Sequence, residues 1–118
     1  MKILKFSEGE KFERPYGRVS RVLLEHKFKT PVDSIIFYHS DLPNGKFDDH
    51  YHSESEEIIW FPEGGKITVE GETIQMEPWD GVLLQPGERH GYSGESVKTI
   101  HLAVKMPASN DKVSAKNE

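Results

Sequence analysis

The stretch HYHSESEEIIWFPEG, His50–Gly64, decides the fold, because it combines metal-ligand residue types with β-strand alternation. His50 and His52 are one residue apart, and Glu57 follows at the start of a β-favouring run. Because successive side chains of a strand point to opposite faces, both histidines lie on one side and Tyr51 on the other. Two imidazoles and a carboxylate suit iron, manganese, nickel or zinc better than calcium or magnesium. The stretch therefore predicts a site for one divalent transition metal on a β-hairpin.

The run that follows the histidines predicts a strand that is covered on both faces. Glu57, Ile59 and Phe61 share one face by alternation, and Ile58 and Trp60 share the other. Both faces are largely apolar, so neither is expected to face water.

Each of these donors also has an ordinary structural explanation. An H-x-H pair on a strand can be two half-exposed histidines, and Glu54, Glu56 and Glu57 can be a solvated acidic run. Glu56 is an alternative carboxylate, at the three-residue spacing from the histidine pair. We prefer Glu57, because its spacing to Gly64 fits and because it shares a face with apolar residues.

The rest of the chain is a series of short β-favouring runs separated by turn residues, with no convincing helical periodicity. The predicted strands are residues 3–6, 19–28, 33–39, 50–52, 57–61, 66–69, 73–76, 82–85, 90–93 and 97–105. Residues 7–17 are predicted as a loop, and residues 107–118 as a flexible tail. The pattern predicts an all-β, antiparallel sandwich or barrel in one domain, residues 1–106.

Composition excludes several classes of function. The 118-residue chain has 20 acidic and 15 basic residues, and this net charge of −5 argues mildly against nucleic acid or an anionic membrane as partner. We prefer the simpler interpretation that the charge only serves solubility. The absence of cysteine excludes disulfides and thiolate ligands and fits a cytoplasmic protein. No apolar run is long enough to span a membrane, and the N-terminal one is too short for a signal peptide.

The spacing of these residues resembles the first motif of the cupins, a family of small jelly-roll barrels. That motif is a glycine, five residues, H-x-H, three or four residues, a glutamate, six residues and a glycine. Gly45, His50, His52, Glu57 and Gly64 follow it here, except that four residues rather than five separate Gly45 from His50.

A second stretch resembles the second cupin motif, G-x5-P-x-G-x2-H-x3-N. Gly87 and His90 match it, and Pro86-Gly87 forms a turn that can direct His90 inward. Trp79, Gln85 and Gly94 stand where the family has glycine, proline and asparagine. The two motifs together cover roughly a third of the chain.

The resemblance implies an antiparallel jelly-roll β-barrel that binds one divalent metal through His50, His52, Glu57 and His90. A six-coordinate metal with these four ligands keeps two positions for water or substrate. The leading activity that the resemblance implies is an Fe(II) dioxygenase acting on a small organic substrate. The alternatives are a metal-dependent isomerase or decarboxylase of a sugar or a keto or hydroxy acid, a non-catalytic module that binds a small molecule through metal, and a purely structural metal. The resemblance also implies a homodimer.

Tyr92 and His101 are the candidate catalytic residues beside the ligands. Tyr92 lies two residues after His90 and so shares its face, and His101 could act as an acid or base. A structural role is about as common for such residues. For Phe37 and Trp60 we expect core packing.

Two surface features complete the expectations. Arg14, Arg18, Arg21 and Arg89 could each bind a carboxylate substrate, although a solvated arginine is the more common case. The apolar N-terminal run that contains Ile3, Leu4 and Phe6 could pair with the sheet of a second copy.

Overall fold

Antiparallel β-strands make up nearly all of the fold. The computed structural model of the chain describes residues 1–28, 32–93 and 98–114. The strands in these residues are β1 (Lys2–Leu4), β2 (Glu10–Glu13), β3 (Val19–Val22), β4 (Ile36–Leu42), β5 (Lys46–His52), β6 (Glu56–Phe61), β7 (Gly65–Val69), β8 (Glu72–Met76), β9 (Asp80–Leu84), β10 (His90–Ser93), β11 (Thr99–Met106) and β12 (Lys112–Ser114). Two single turns of 3-10 helix, Phe6–Glu8 and Pro15–Gly17, are the only helical elements among the described residues.

Ten of these strands form two five-stranded sheets. The first sheet has the order β1-β9-β6-β11-β4, and the second has the order β12-β5-β10-β7-β8. Strands β2 and β3 form a separate hairpin. Every pairing is antiparallel, and neighbours in a sheet are mostly distant in sequence, as a jelly roll requires. The prediction of an all-β, antiparallel jelly-roll fold is confirmed.

Strand β6 is covered on both faces, as its sequence predicts. Ile59 and Phe61 point into the cluster between the two sheets, where they are 1% and 0% exposed. Ile58 belongs to a second cluster on the outer face of the first sheet, and Trp60 packs against that cluster. The between-sheet cluster consists of Ile59, Phe61, Ile67, Val69, Met76, Val82, Leu84, Tyr92 and Ala103.

The N-terminal third of the chain differs from the prediction. The strand expected for residues 19–28 ends at Val22, because Leu24 and Phe28 turn onto the outer face of the first sheet and pack against its apolar cluster. The loop expected for residues 7–17 contains β2, which pairs with β3. A polar run such as Glu10–Glu13 carries little local strand signal, so its pairing partner determines its conformation.

The C-terminal segment also differs from the flexible tail that we expected for residues 107–118. Lys112–Ser114 form β12, which pairs with β5, and Asp111 is buried before it. The segment is short and polar, so backbone pairing and buried polar contacts hold it rather than an apolar pattern. Residues 115–118 of the expected tail, together with Val97 of the expected strand 97–105 and Gly94 of the second motif, lie outside the described residues.

Phe37 does not pack in the core. It lies on β4, an edge strand of the first sheet, and its side chain is 60% exposed. The expectation of core packing was therefore wrong for Phe37, because a β-favouring residue on an edge strand can keep one face open to solvent. Trp60 is half-buried against the outer cluster, so for this residue the expectation holds in part.

The N-terminal strand pairs within its own chain. Strand β1 pairs with β9, and Leu4 is buried in the outer cluster. A dimer through this segment stays a prediction. In the part of the chain described, no helix has the length and apolar character needed to cross a membrane.

The contrast between Phe61 and Phe37 gives a direct test of the core. We expect Phe61→Ala to lower the free energy of unfolding by about 3–5 kcal/mol, because it leaves a cavity in a fully buried site. Phe37→Ala is the matched control, and its effect should stay within about 0.5 kcal/mol. Urea denaturation of both variants measures the difference, and equal losses would contradict this account of the core.

Asp80 ties the N-terminal segment to the first sheet. Its carboxylate accepts hydrogen bonds from the backbone N–H groups of Phe6 and Glu77, at 2.9 Å each, and from Lys5 Nζ at 3.0 Å. Burial by itself would raise the pKa of the Asp80 carboxyl, but these donors outweigh burial and lower the pKa below its usual value. The ionised form of Asp80 is therefore favoured in the folded protein.

A carboxyl whose pKa is lower in the folded state stabilises the protein above its unfolded pKa of about 4. That contribution is lost as the pH falls through the lower folded pKa. We expect Asp80→Asn to reduce the free energy of unfolding by about 1–3 kcal/mol at pH 7, with a smaller difference from wild type near pH 3. Urea denaturation at both pH values tests this, and Asp41→Asn, at an exposed carboxylate paired with Lys98, is the control. A difference that is independent of pH would contradict the role of the charge.

Candidate metal centre

Two neighbouring strands of the second sheet bring three histidines together. In the pairing of β5 with β10, His50 and His90 stand directly opposite each other, and His52 follows on the same face of β5. The ring centroids of His50 and His90 are 4.4 Å apart, and that of His52 is 5.3 Å and 5.7 Å from them. All three side chains are buried. The register between these strands therefore brings the two sequence motifs together.

Backbone carbonyls fix the orientation of two of the rings. His50 Nδ1 donates to Asp48 O and His90 Nδ1 donates to Glu88 O, each at 3.0 Å. A carbonyl oxygen can only accept, so in both rings the proton is on Nδ1 and the lone pair is on Nε2. This is the tautomer that a histidine needs in order to bind a metal through Nε2.

The third ring is oriented by a carboxylate from the C-terminal segment. His52 Nδ1 lies 3.3 Å from Asp111 Oδ1, while Asp111 Oδ2 accepts hydrogen bonds from the backbone N–H groups of Glu54 and Ser55 at 2.8 Å each. Burial alone would raise the pKa of the Asp111 carboxyl, but these donors and nearby His52 lower the pKa to about 2. Asp111 is therefore ionised at neutral pH.

Glu57 faces the histidines from the opposite sheet. Its Oε1 lies 3.1 Å from His90 Nε2 and 3.6 Å from His52 Nε2. Glu56, the alternative carboxylate, points away and pairs with His26 at 2.9 Å. The alternation along β6 thus separates the two glutamates, and Glu57 is the one that joins the histidine cluster.

The residues of this cluster fit a bound cation. The ligand atoms of His50, His52 and His90 all lie within 4.8 Å of one another, so these three residues could hold a metal ion. His52 Nε2 and His90 Nε2 are buried and make no hydrogen bond, since the nearby Glu57 oxygen does not meet the geometry of one. A buried polar atom without a partner is costly, and a cation between these atoms would remove that cost.

The protonation states suit a metal site as well. Burial, together with the neighbouring His90, Lys112 and His52, outweighs the opposing effect of the Asp48 carbonyl and lowers the pKa of His50 to about 4. Burial would raise the pKa of Glu57, but His52 and His90 outweigh burial and lower it. At neutral pH His50 is therefore neutral and Glu57 is ionised, the forms in which these side chains bind metals.

A cavity of about 350 Å³ opens above the cluster, between the two sheets. Its walls carry the candidate ligands at one side and mixed polar and apolar residues around them. The lining residues are Tyr38, Ser40, Leu42, Phe47, His50, His52, Glu57, Ile59, His90, His101, Ala103, Lys105, Asn110 and Lys112. A volume of this size accommodates a small organic molecule.

His101 lines this cavity, and Tyr92 forms a hydrogen bond with His101. Tyr92 Oη and His101 Nδ1 are joined by a hydrogen bond of 2.7 Å. Burial raises the pKa of the Tyr92 hydroxyl, and the Glu57 charge raises it further. Burial lowers the pKa of His101, although Glu57 opposes this shift. Tyr92 is not among the residues that line the cavity, and it contacts two that are, His101 through this hydrogen bond and Phe47 through a ring contact at 4.2 Å.

Two lysines line the cavity. Lys105 is buried in the wall, where its Nζ donates to Ser109 O and lies 3.4 Å from Asp111 Oδ1, and Lys112 is an exposed lining residue. The four arginines considered from the sequence do not line the cavity. Arg14 and Arg21 instead lie over the rings of Phe12 and Phe6.

The structure thus brings together all four predicted metal ligands and places His101 beside them. Sequence reasoning missed Asp111, Lys105 and Lys112. Lys105 carried a usable signal, since it is four residues after His101 on one strand and so shares its face. Asp111 carried none, because it lies in a polar segment that contacts His52 across 59 residues of sequence.

Several solved structures are similar to this chain in fold. A cupin protein from Bacteroides fragilis has 24% sequence identity and a TM-score of 0.56, over 67% of this chain and 70% of that chain. The DMSP lyase DddQ from Ruegeria pomeroyi has 22% identity and a TM-score of 0.63, over 73% of this chain and 45% of that chain. A nucleoside dehydratase from Streptomyces, in its complex with uridine, has 18% identity and a TM-score of 0.63, over 96% of this chain and 89% of that chain. No family model and no curated protein sequence matches the chain.

These similarities, together with the two sheets and the histidine cluster, define the class of fold. The chain has the jelly-roll fold of the cupins. The family resemblance carried by the two sequence motifs is therefore confirmed at the level of the fold.

Proposed function

We propose that this chain is a metal-dependent cupin enzyme that acts on a small organic anion by moving a proton. The observation that carries the proposal is the convergence of three buried imidazoles and one carboxylate on a cavity that also holds His101. In this proposal His50, His52, Glu57 and His90 are the ligands of one divalent metal. A divalent metal there would supply Lewis-acid polarisation of a substrate oxygen.

His101 is the proposed acid and base. Its lowered pKa keeps it neutral at neutral pH, so that it can accept a proton from a substrate. Tyr92 is the proposed positioning residue, because its hydroxyl can either donate to or accept from His101 Nδ1 at 2.7 Å. The pair can therefore keep its hydrogen bond in either tautomer of His101.

The charges around the cavity support an anionic substrate. The charges of Lys105 and Lys112 are offset by the carboxylates of Glu57 and Asp111, so a bound dication would make the local net charge positive. Carboxylates of keto and hydroxy acids fit this description, and a cavity of about 350 Å³ limits the substrate to a small molecule.

Proton movement corresponds to an isomerase, decarboxylase or lyase rather than to an oxygenase. The presence of an imidazole–phenol pair beside the ligands favours this class, and two of the similar folds belong to proteins named a lyase and a dehydratase. The oxygen-dependent cleavage implied by the resemblance stays a prediction, which oxygen uptake by the iron-loaded protein would test. The homodimer and the cytoplasmic location also stay predictions.

The ligand assignment predicts the metal content of variants. Protein purified without an affinity tag should contain about one divalent metal per chain, and His90→Ala and His52→Ala should lose most of it, because each removes a buried donor. His39→Ala is the control, since His39 lies on β4 with an exposed side chain. Elemental analysis gives the result. Loss of metal from His39→Ala with retention in His90→Ala would contradict the assignment.

Metal binding should also stabilise the fold. A ligand that binds only the folded state adds about 2.7 kcal/mol at a hundredfold excess over its Kd. The loaded protein should therefore melt several degrees above the EDTA-treated protein at about pH 7.5. The EDTA effect should be small in His90→Ala and normal in His39→Ala. Loaded protein that melts unchanged after chelation would show that the metal is not coupled to folding.

The acid–base assignment predicts exchange of substrate protons with solvent. Incubation of the metal-loaded protein with a panel of keto and hydroxy acids in D₂O should give deuterium incorporation, detected by NMR. The deuterium should appear on the carbon next to a keto group, or on the hydroxyl-bearing carbon next to a carboxylate. His101→Gln should slow this exchange about 10²–10⁴-fold while the metal stays bound. Tyr92→Phe should slow it less and change its pH profile, because it alters only the partner of His101.

His26→Gln serves as the control for this experiment, since it removes an imidazole that pairs with Glu56 and does not line the cavity. Its exchange rate should equal that of the wild type. Oxygen uptake with the same compounds, without proton exchange, would overturn the proposed reaction class and leave the metal site intact. Binding without either reaction would identify a non-catalytic module.

A further inference from the structure

Asp111 occupies an unusual position for a residue near the C-terminus. Its side chain is 4% exposed, although it precedes a three-residue strand at the edge of the second sheet. One carboxylate oxygen accepts the backbone N–H groups of Glu54 and Ser55, and the backbone carbonyl of Asp111 accepts from Ser53 N at 3.1 Å. The segment therefore attaches to the loop between β5 and β6, which joins His52 to Glu57.

The second carboxylate oxygen of Asp111, Oδ1, points towards His52, one of the proposed metal ligands. Oδ1 lies 3.3 Å from His52 Nδ1 and 3.4 Å from Lys105 Nζ. The rings of His50 and His90 are oriented differently, because their Nδ1 atoms donate to backbone carbonyls two residues earlier in the chain. His52 is thus the member of the three-histidine group whose ring depends on a side chain from a distant segment.

We propose that Asp111 is a positioning residue for His52, and that it couples docking of the C-terminal segment to metal binding. The inference rests on the proposed metal site. The fit of that site to a cation is supported by the buried, unpartnered Nε2 atoms of His52 and His90. In this proposal Asp111 does not touch the substrate, and it acts on the metal only through the imidazole ring of His52.

The physical basis is the contact between the carboxylate and the imidazole. A carboxylate that accepts from Nδ1–H fixes the tautomer and ring orientation and makes Nε2 a better donor to a cation. Glu54 and Ser55 hold the carboxylate in place, so this effect does not depend on a mobile side chain. Loss of such a partner lowers metal affinity about 10–100-fold in other metal sites.

Coupling must act in both directions. If docking of residues 111–114 strengthens metal binding, then metal binding must strengthen docking by the same factor. β12 pairs with β5 beside two proposed ligands, with Lys112 opposite His52 and Ser114 opposite His50. The backbone amides of this strand should therefore report whether metal is bound.

The first experiment measures Co²⁺ affinity by titration of the metal-stripped protein, followed by its visible absorption. Asp111→Asn should weaken the Kd about 10–100-fold and change the Co²⁺ spectrum, because the new amide keeps the shape but not the charge beside His52. Asp41→Asn, at an exposed carboxylate, is the matched control and should match the wild type. A purely structural role of Asp111 would lower the melting temperature of the variant and leave the spectrum of its bound Co²⁺ unchanged.

The second experiment uses the unaltered chain, so it does not depend on how the variant folds. Hydrogen–deuterium exchange of a peptide that covers residues 107–114 should slow about 10–100-fold when Co²⁺ binds. A peptide that covers β2 and β3, which belong to neither main sheet, is the internal reference and should not change.

The outcomes separate this inference from the proposed function. Wild-type protein that binds no Co²⁺ would overturn the metal site itself. Wild-type binding with an unchanged Kd and spectrum in Asp111→Asn, or with no change in exchange at residues 107–114, would overturn the role of Asp111 and leave the metal site standing. Weaker binding in Asp111→Asn together with metal-dependent protection of residues 107–114 would support the coupling.

Discussion

The register between β5 and β10 is the constraint on which the candidate site depends. It places His50 opposite His90, although they are forty residues apart in the sequence and four strands, β6 to β9, lie between their strands. Because side chains alternate along a strand, a shift of one residue would turn one of these imidazoles away from the other. The buried apolar face of the same sheet opposes such a shift, since a one-residue shift of β10 would turn Tyr92 out of the cluster between the sheets. Core packing therefore fixes the strand register, and the register decides which side chains meet at the candidate site.

The space between the sheets is divided into an apolar part and a polar part. Phe61, Ile67 and Val82 are fully buried in one part, while the imidazoles and Glu57 occupy the other, next to the cavity. Strand β6 spans both, because Glu57 and Phe61 lie on one face four residues apart. Apolar burial in one part stabilises the scaffold, and the scaffold can then hold polar groups whose burial is unfavourable without a partner.

Polar contacts from outside the main motifs complete the arrangement. The C-terminal segment adds Asp111 behind His52, and β11 adds His101 and Lys105 to the cavity wall. Under the proposed function these residues distinguish the site from a bare set of metal ligands, because Asp111 would orient an imidazole and His101 would transfer a proton. The same histidine and glutamate spacing could occur in a cupin with different neighbours, and its chemistry would then differ.

The sequence by itself determined the all-β class and the alternating faces of β6, because strand periodicity is a local property. The set of four candidate ligands came from the resemblance of two sequence motifs to those of the cupins. The sequence also separated Glu57 from Glu56, since alternation assigns them to opposite faces. Only the tertiary structure decided that Phe37 is exposed, that β2 pairs with β3, and that Asp111 contacts His52. Each of these depends on a partner distant in sequence: an open sheet edge, a pairing strand or a buried imidazole. Local propensity carries no information about such partners, so the fold had to supply them.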